Sequence, residues 1–229
     1  MDSESPASEG MEPEYKVVVL GDGAVGKTSL IRRYCEQGFD QSYKQTIGLD
    51  FYSKKVEIPG GRSVGLQIWD IGGQQIGGSM LANYLHGADA VCFVYDVTNP
   101  VSFKNVEEWH QCVLALMLKE KELKPMMVLA GNKTDLPNRQ ISAETHGRAA
   151  DAYNMHPLLI SARSGDRINS LFMMLAAMLA GVSLSPQELD IANRMVVSID
   201  SQPEEQSPAL CAYETVVMKK KDADKCVLM

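Results

Sequence analysis

Short apolar runs alternate along this chain with longer stretches whose apolar residues recur at three- and four-residue spacing. Tyr15 to Leu20 forms a compact apolar run, and a helical pattern starts at Lys27. Residues 49–58 and 63–70 read as two strands joined by the turn signal Pro59-Gly60-Gly61. Met126 to Ala130 is a further buried run, and another short apolar strand precedes Ser161. Helices are expected near 27–37, 79–87, 101–119, 142–153 and 167–180, with Val106, Trp109, Val113 and Leu116 sharing one face of the third. Strands alternating with helices predict an α/β fold. Its sheet is mostly parallel, covered by helices on both faces, with ligand binding at the carboxyl ends of the strands.

The first apolar run ends in Gly21-Asp22-Gly23-Ala24-Val25-Gly26-Lys27-Thr28, which fits the phosphate-loop pattern between a strand and a helix. Glycines let backbone N–H groups curl around a phosphate. Lys27 adds charge near the β- and γ-phosphates, Thr28 offers Mg²⁺ a hydroxyl, and the helix start favours an anion. Asn132-Lys133-Thr134-Asp135 ends the fourth apolar run. A carboxylate at Asp135 can accept from guanine N1–H and its exocyclic amine, whereas adenine would leave it unpaired. Downstream, the Ala162 N–H in Ser161-Ala162-Arg163 can face the guanine carbonyl. Leu66 to Gln74 is an alternating strand ending in Asp70-Ile71-Gly72-Gly73-Gln74. There Asp70 can hold Mg²⁺, the Gly73 N–H can meet a γ-phosphate, and Gln74 can orient the attacking water. Thr46 is the candidate second hydroxyl for Mg²⁺.

With these segments in order, residues 14–182 resemble the Ras superfamily of small GTPases, and within it the Rab family. Ile47-Gly48-Leu49-Asp50-Phe51, Phe93 to Thr98 and Asn105-Val106-Glu107-Glu108-Trp109 carry the Rab likeness. Ile71-Gly72-Gly73 after Asp70, where most Rabs have Thr-Ala-Gly, resembles the divergent Rab-twenty-eight subfamily. The resemblance implies a three-layer phosphate-loop NTPase fold with a six-stranded sheet. It also implies slow Mg²⁺-dependent hydrolysis of GTP to GDP and a membrane-associated switch in vesicle, endosomal or ciliary traffic. It adds Ser29, Phe39, Tyr43 and Lys133 to the nucleotide site, and makes Ile47, Phe51, Trp69 and Tyr84 effector contacts. Effectors, an exchange factor and an activating protein are the implied partners. Gln75 to Met80 departs from the Rab pattern, and Gly77-Gly78 there predicts a loose second switch. A nucleotide-loaded scaffold that does not switch is the alternative reading.

Composition refines this picture. A chain of 229 residues, 45% of them hydrophobic, suffices for one globular core, and a net charge of −7 speaks against general nucleic-acid binding. Residues 1–13 are polar and acidic, and a linker-like composition runs from about 200 to 229. Ser185, Pro186 and Glu188 form a capping-box pattern that predicts an extra helix near 186–197, within a 183–199 segment. The final Cys226-Val227-Leu228-Met229 fits a prenylation box, favouring farnesyl on Cys226, with a prenyltransferase and a prenyl-binding chaperone as partners. One lipid holds a protein to a membrane reversibly, so exchange between cytoplasm and the cytoplasmic face of membranes is expected. The histidines show no metal spacing, and Cys35, Cys92 and Cys112 read as buried, reduced thiols.

Overall fold

The computed structural model describes residues 12–37, 45–46, 48–73, 80–120 and 124–194. The six strands are β1 (Glu14–Leu20), β2 (Leu49–Ile58), β3 (Arg62–Ile71), β4 (Ala90–Asp96), β5 (Met126–Asn132) and β6 (His156–Leu159). They form one sheet in the order β2-β3-β1-β4-β5-β6. Only the β2–β3 pair is antiparallel; the other pairs run parallel. Gly60 and Gly61 close the β2–β3 hairpin at φ 91° and 71°, a region that costs glycine nothing and other residues strain. The helices are α1 (Lys27–Cys35), α2 (Leu81–Leu85), α3 (Pro100–Glu120), α4 (Ala143–Tyr153), α5 (Ile168–Leu179) and α6 (Pro186–Arg194).

Period-two alternation along β1 divides the core between the two faces of the sheet. Val17 and Val19 face Leu30 and Ile31 of α1 and Leu171, Phe172 and Leu175 of α5. Val18 and Leu20 face the other way, toward Leu81 and Leu85 of α2 and Val106, Trp109 and Val113 of α3. Burying the same strand on both faces is why it reads as an unbroken apolar run.

Several element ends differ from the sequence reading for local reasons. α1 stops two residues early because Gln37 takes a left-handed φ of 53°. The described part of α2 spans only Leu81–Leu85, since His86 leaves helical geometry at ψ 126°. On α3, Met117 is buried where Leu116 was expected, and Leu116 packs at the margin. Of the three described thiols only Cys92 is fully buried; Cys35 and Cys112 are partly exposed. Glu12 and Pro13, assigned by composition to the N-terminal segment, are tied to the hairpin. Lys55 pairs with Glu12 at 2.5 Å, and Gly65 N donates to Pro13 O at 2.9 Å.

At α6, Glu188 N donates to Ser185 Oγ at 3.3 Å while Ser185 N donates to Glu188 Oε2 at 2.7 Å, a reciprocal cap. Ser170 Oγ of α5 donates to Leu189 O at 2.8 Å, fastening α6 to the domain.

Candidate nucleotide site

The parallel strands β1, β3, β5 and β6 end on the same edge of the sheet, and each is followed by one piece of the candidate site. After β1 the chain runs so close to β4 that a Cβ on Gly21 would lie 2.1 Å from Val94 O. Only glycine fits there, at φ +139°. Lys27 opens α1 and donates from Nζ to Gly21 O and Asp22 O, both at 2.7 Å. Burial lowers its ammonium to about 8, against the opposing pull of Asp70 and then Asp22. A buried ammonium among carbonyls is an electropositive point that an incoming phosphate can use.

Behind Lys27 three oxygen donors from three elements converge. Thr28 Oγ1 on α1 donates to Asp70 Oδ2 at the end of β3 at 2.5 Å. Thr46 Oγ1, from the segment ahead of β2, lies 2.7 Å from Thr28 Oγ1. Asp70 is fully buried, and its Oδ1 has no hydrogen-bond partner among the described residues. Burial raises its carboxyl, opposed by the Thr28 hydrogen bond and the Lys27 charge. Two hydroxyls beside a buried, half-satisfied carboxylate make a hard-oxygen set that fits Mg²⁺. Gly73 sits directly against the loop, for a Cβ on it would be 2.2 Å from Gly23 N.

The loops after β5 and β6 are laced together. Asn132 Nδ2 donates to Val25 O at 2.9 Å, and its Oδ1 accepts from Ala162 N at 3.0 Å. The Ala162 N–H, expected to face a base, is thus engaged by Asn132 in this structure. Lys133 reaches back to Ala24 O at 2.9 Å and to Asp96 Oδ2 at 2.7 Å. Although burial works against it, these Lys133 contacts and the Thr98 hydrogen bonds hold the Asp96 carboxyl below its ordinary range. Asp135 Oδ1 accepts from Ser161 Oγ at 2.7 Å, and Arg163 Nη1 lies 3.9 Å from Asp135 Oδ2. One Asp135 oxygen is therefore fixed by serine while the other faces a looser, ionic neighbour.

Sequence reasoning overlooked three groups that brace the site. Arg33 of α1 donates from Nε to Ala162 O at 3.2 Å and from Nη2 to Arg163 O. Asp96 anchors Lys133, and Asn105 with Trp109 bind the Asp22 carboxylate. The one visible signal was the four-residue spacing of Asn105 and Trp109, which places both on one face of α3.

Of the expected partner-contact residues, Phe51 and Trp69 face each other across β2 and β3, with ring centroids 5.9 Å apart in an edge-to-face arrangement. Phe51 is 52% exposed. Lys16 Nζ sits 3.9 Å from the Trp69 ring centroid and fixes the indole from its other side. Tyr84 on α2 packs at the edge of the same core. Phe39, Tyr43, Ile47, Gln74 and Cys226 lie outside the described residues.

A glycine-rich loop after β1, a threonine–aspartate cluster and a carboxylate-bearing loop after β5 on this sheet have the layout of a phosphate-loop nucleotide-binding protein. The Ras family pattern matches residues 16–180, and the chain belongs to the Ras family. It is 43% identical over 192 residues to the Ras-related protein Rab-28 of Caenorhabditis elegans, an alignment covering 83% of this chain and 77% of that relative. The chain is a Rab-like small GTPase that binds guanine nucleotide and hydrolyses GTP.

Proposed function

We propose that this GTPase works as a nucleotide-dependent switch on the cytoplasmic face of membranes, in vesicle, endosomal or ciliary traffic. The observation that carries the reading is the meeting of Thr28, Thr46 and Asp70 beside Lys27. Thr46 precedes β2 and Gly73 follows β3, so one flanking loop meets Thr28 and the other lies against Asp22 and Gly23. A ligand that differs by one phosphate therefore changes what those two loops can hold on to.

In this mechanism Gly21 to Thr28 and Ser29 wrap the phosphates with backbone N–H groups, and Lys27 balances charge at the β- and γ-phosphates. Thr28, Thr46 and Asp70 would hold Mg²⁺, which when bound would neutralise negative charge on the phosphate oxygens. Gly73 presents its N–H to the γ-phosphate, and Gln74 orients the attacking water. Asp135 accepts from guanine, Lys133 and Phe39 flank the base, and Ala162 offers its N–H to the guanine carbonyl. No arginine supplied in cis is recognisable, so turnover is slow until an activating protein contributes one.

Effectors read the exposed Phe51 together with Trp69 and Tyr84, and Ile47 is a further contact. A farnesyl group on Cys226, at the end of the 200–229 tail, tethers the domain reversibly. Among the described residues no helix is long and apolar enough to cross a membrane. The test is affinity capture from cell extract with Gln74→Leu protein held in GTP, beside Thr28→Asn protein. Partners retained only by the GTP-held form support a switch; identical partner sets favour a scaffold indifferent to nucleotide. Intact mass from cells checks the tail: loss of Val227-Leu228-Met229 with gain of a prenyl group is expected, and an unprocessed chain removes the tether.

A further inference from the structure

Asp22 is the second residue of the phosphate loop, and its carboxylate is committed to a helix far away in sequence. Asn105 Nδ2 donates to Asp22 Oδ2 at 2.8 Å, and Trp109 Nε1 donates to Asp22 Oδ1 at 3.0 Å. The two donors are one turn apart on α3, so they reach the carboxylate from a single helix face. Trp109 is 1% exposed, and a buried indole N–H can only donate, so it needs an acceptor here. The main chain of Asp22 is held as well, since its carbonyl accepts Lys27 Nζ at 2.7 Å.

Around this fixed residue the loop contains Gly21, Gly23 and Gly26, the residue type that loses most conformational freedom when ordered. A loop that grips phosphate through backbone N–H groups binds well only if those groups are already aligned. α3 is rooted in the core through Val106 and Val113, which makes it a rigid support for that alignment.

We propose that Asn105 and Trp109 are positioning residues: a clamp that orders the phosphate loop through the Asp22 side chain and so slows nucleotide release. The clamp deepens the switch reading and rests on its assignment of the phosphates to this loop. Both residues reach the loop through the Asp22 side chain, so α3 supports the loop from a different element than the segments that carry Thr46 and Gly73. Because related complexes differ mainly in dissociation rate, loosening the clamp acts on release.

The test uses the full chain loaded with Mg²⁺ and a fluorescent GDP analogue, with release followed after excess GDP is added. Asn105→Ala is mild, at a half-buried position; Trp109→Phe keeps the apolar packing and deletes the donor. Each is expected to speed release about tenfold, since hydrogen bonds to a charged group are among the stronger ones. Asp22→Ala placed on top of both should change release by less than about twofold, because the interaction is already gone.

Circular dichroism and thermal melts establish that each variant is folded. A packing role alone would lower the melting temperature and leave release from folded protein unchanged. Release within about twofold of the parent in Asn105→Ala overturns the clamp, even if Trp109→Phe fails to fold. A parent that cannot retain the analogue overturns the phosphate-loop assignment and the clamp with it, and that failure shows before any variant is made.

Discussion

Thr28 Oγ1 donates to Asp70 Oδ2 at 2.5 Å, although the two residues are 42 positions apart in the chain. The contact crosses from the start of α1 to the end of β3 and leaves Asp70 Oδ1 buried without a partner among the described residues. A divalent cation would satisfy that oxygen together with the two threonine hydroxyls. Chelation by EDTA is therefore expected to speed release of bound GDP by at least about tenfold, equivalent to about 1.4 kcal/mol of lost holding energy. Thr28→Ala protein should release quickly with or without chelator. A parent whose release ignores EDTA would remove the metal assignment.

Gly73 leaves no space for a methyl group, since its Cβ would meet Gly23 N at 2.2 Å and Asp22 C at 2.4 Å. Gly73→Ala must push the loop after β3 away from the phosphate loop. Single-turnover hydrolysis of bound GTP should fall by up to about 10²-fold, the scale of a 1 Å displacement at a reacting centre. GDP retention should change far less, because the rest of the loop is untouched. Equal loss in both measurements would mean that the substitution damages the whole site.

Base selection rests on the two oxygens of Asp135. Ser161 Oγ donates to Oδ1, so an amide in Asp135→Asn keeps its oxygen there and turns its NH₂ toward the base. Guanine would then meet a donor where it offers donors, and xanthine would meet a donor where it offers an acceptor. GTP affinity should drop by several decades, approaching roughly 10⁴, with a matching gain for XTP. Competition binding with both nucleotides measures the exchange directly.

His146 on α4 gives the domain an acid-sensitive point. Its Nδ1 lies 2.9 Å from Tyr95 Oη, its Nε2 has no partner among the described residues, and burial lowers it to about 4. The folded state therefore binds this proton more weakly than the unfolded chain, whose histidine titrates near 6.5. Stability is retained above pH 6.5 and falls below it, with the full loss reached near pH 4. Between pH 7 and pH 5 the group should cost about 2 kcal/mol. Urea denaturation of the parent and of His146→Gln at both values checks this: the variant should lose less by about that amount.

The two strongest motifs were legible because each is local. Gly21 to Thr28 is one continuous segment, and its glycine and Lys-Thr spacing is written into consecutive residues. The same holds for Asn132 to Asp135 and for the strand–helix alternation, whose periods of 2 and 3.6 are written into consecutive residues. The reciprocal Ser185–Glu188 cap spans three residues and could be read for the same reason. Helix ends were less legible, since Gln37 and His86 leave helical geometry without any residue type that compels it.

By itself, then, the sequence determined that the chain forms an α/β phosphate-loop domain with a guanine-type base loop, because those instructions act between near neighbours. Tertiary structure alone decided that Arg33 braces the loop after β6, and that Asn105 and Trp109 take hold of Asp22. Those last partners are 83 and 87 residues away, and hydrogen bonds across such distances leave no periodic trace. They exist only once the sheet has brought α3 beside the end of β1, where a buried indole N–H and a loop carboxylate satisfy one another.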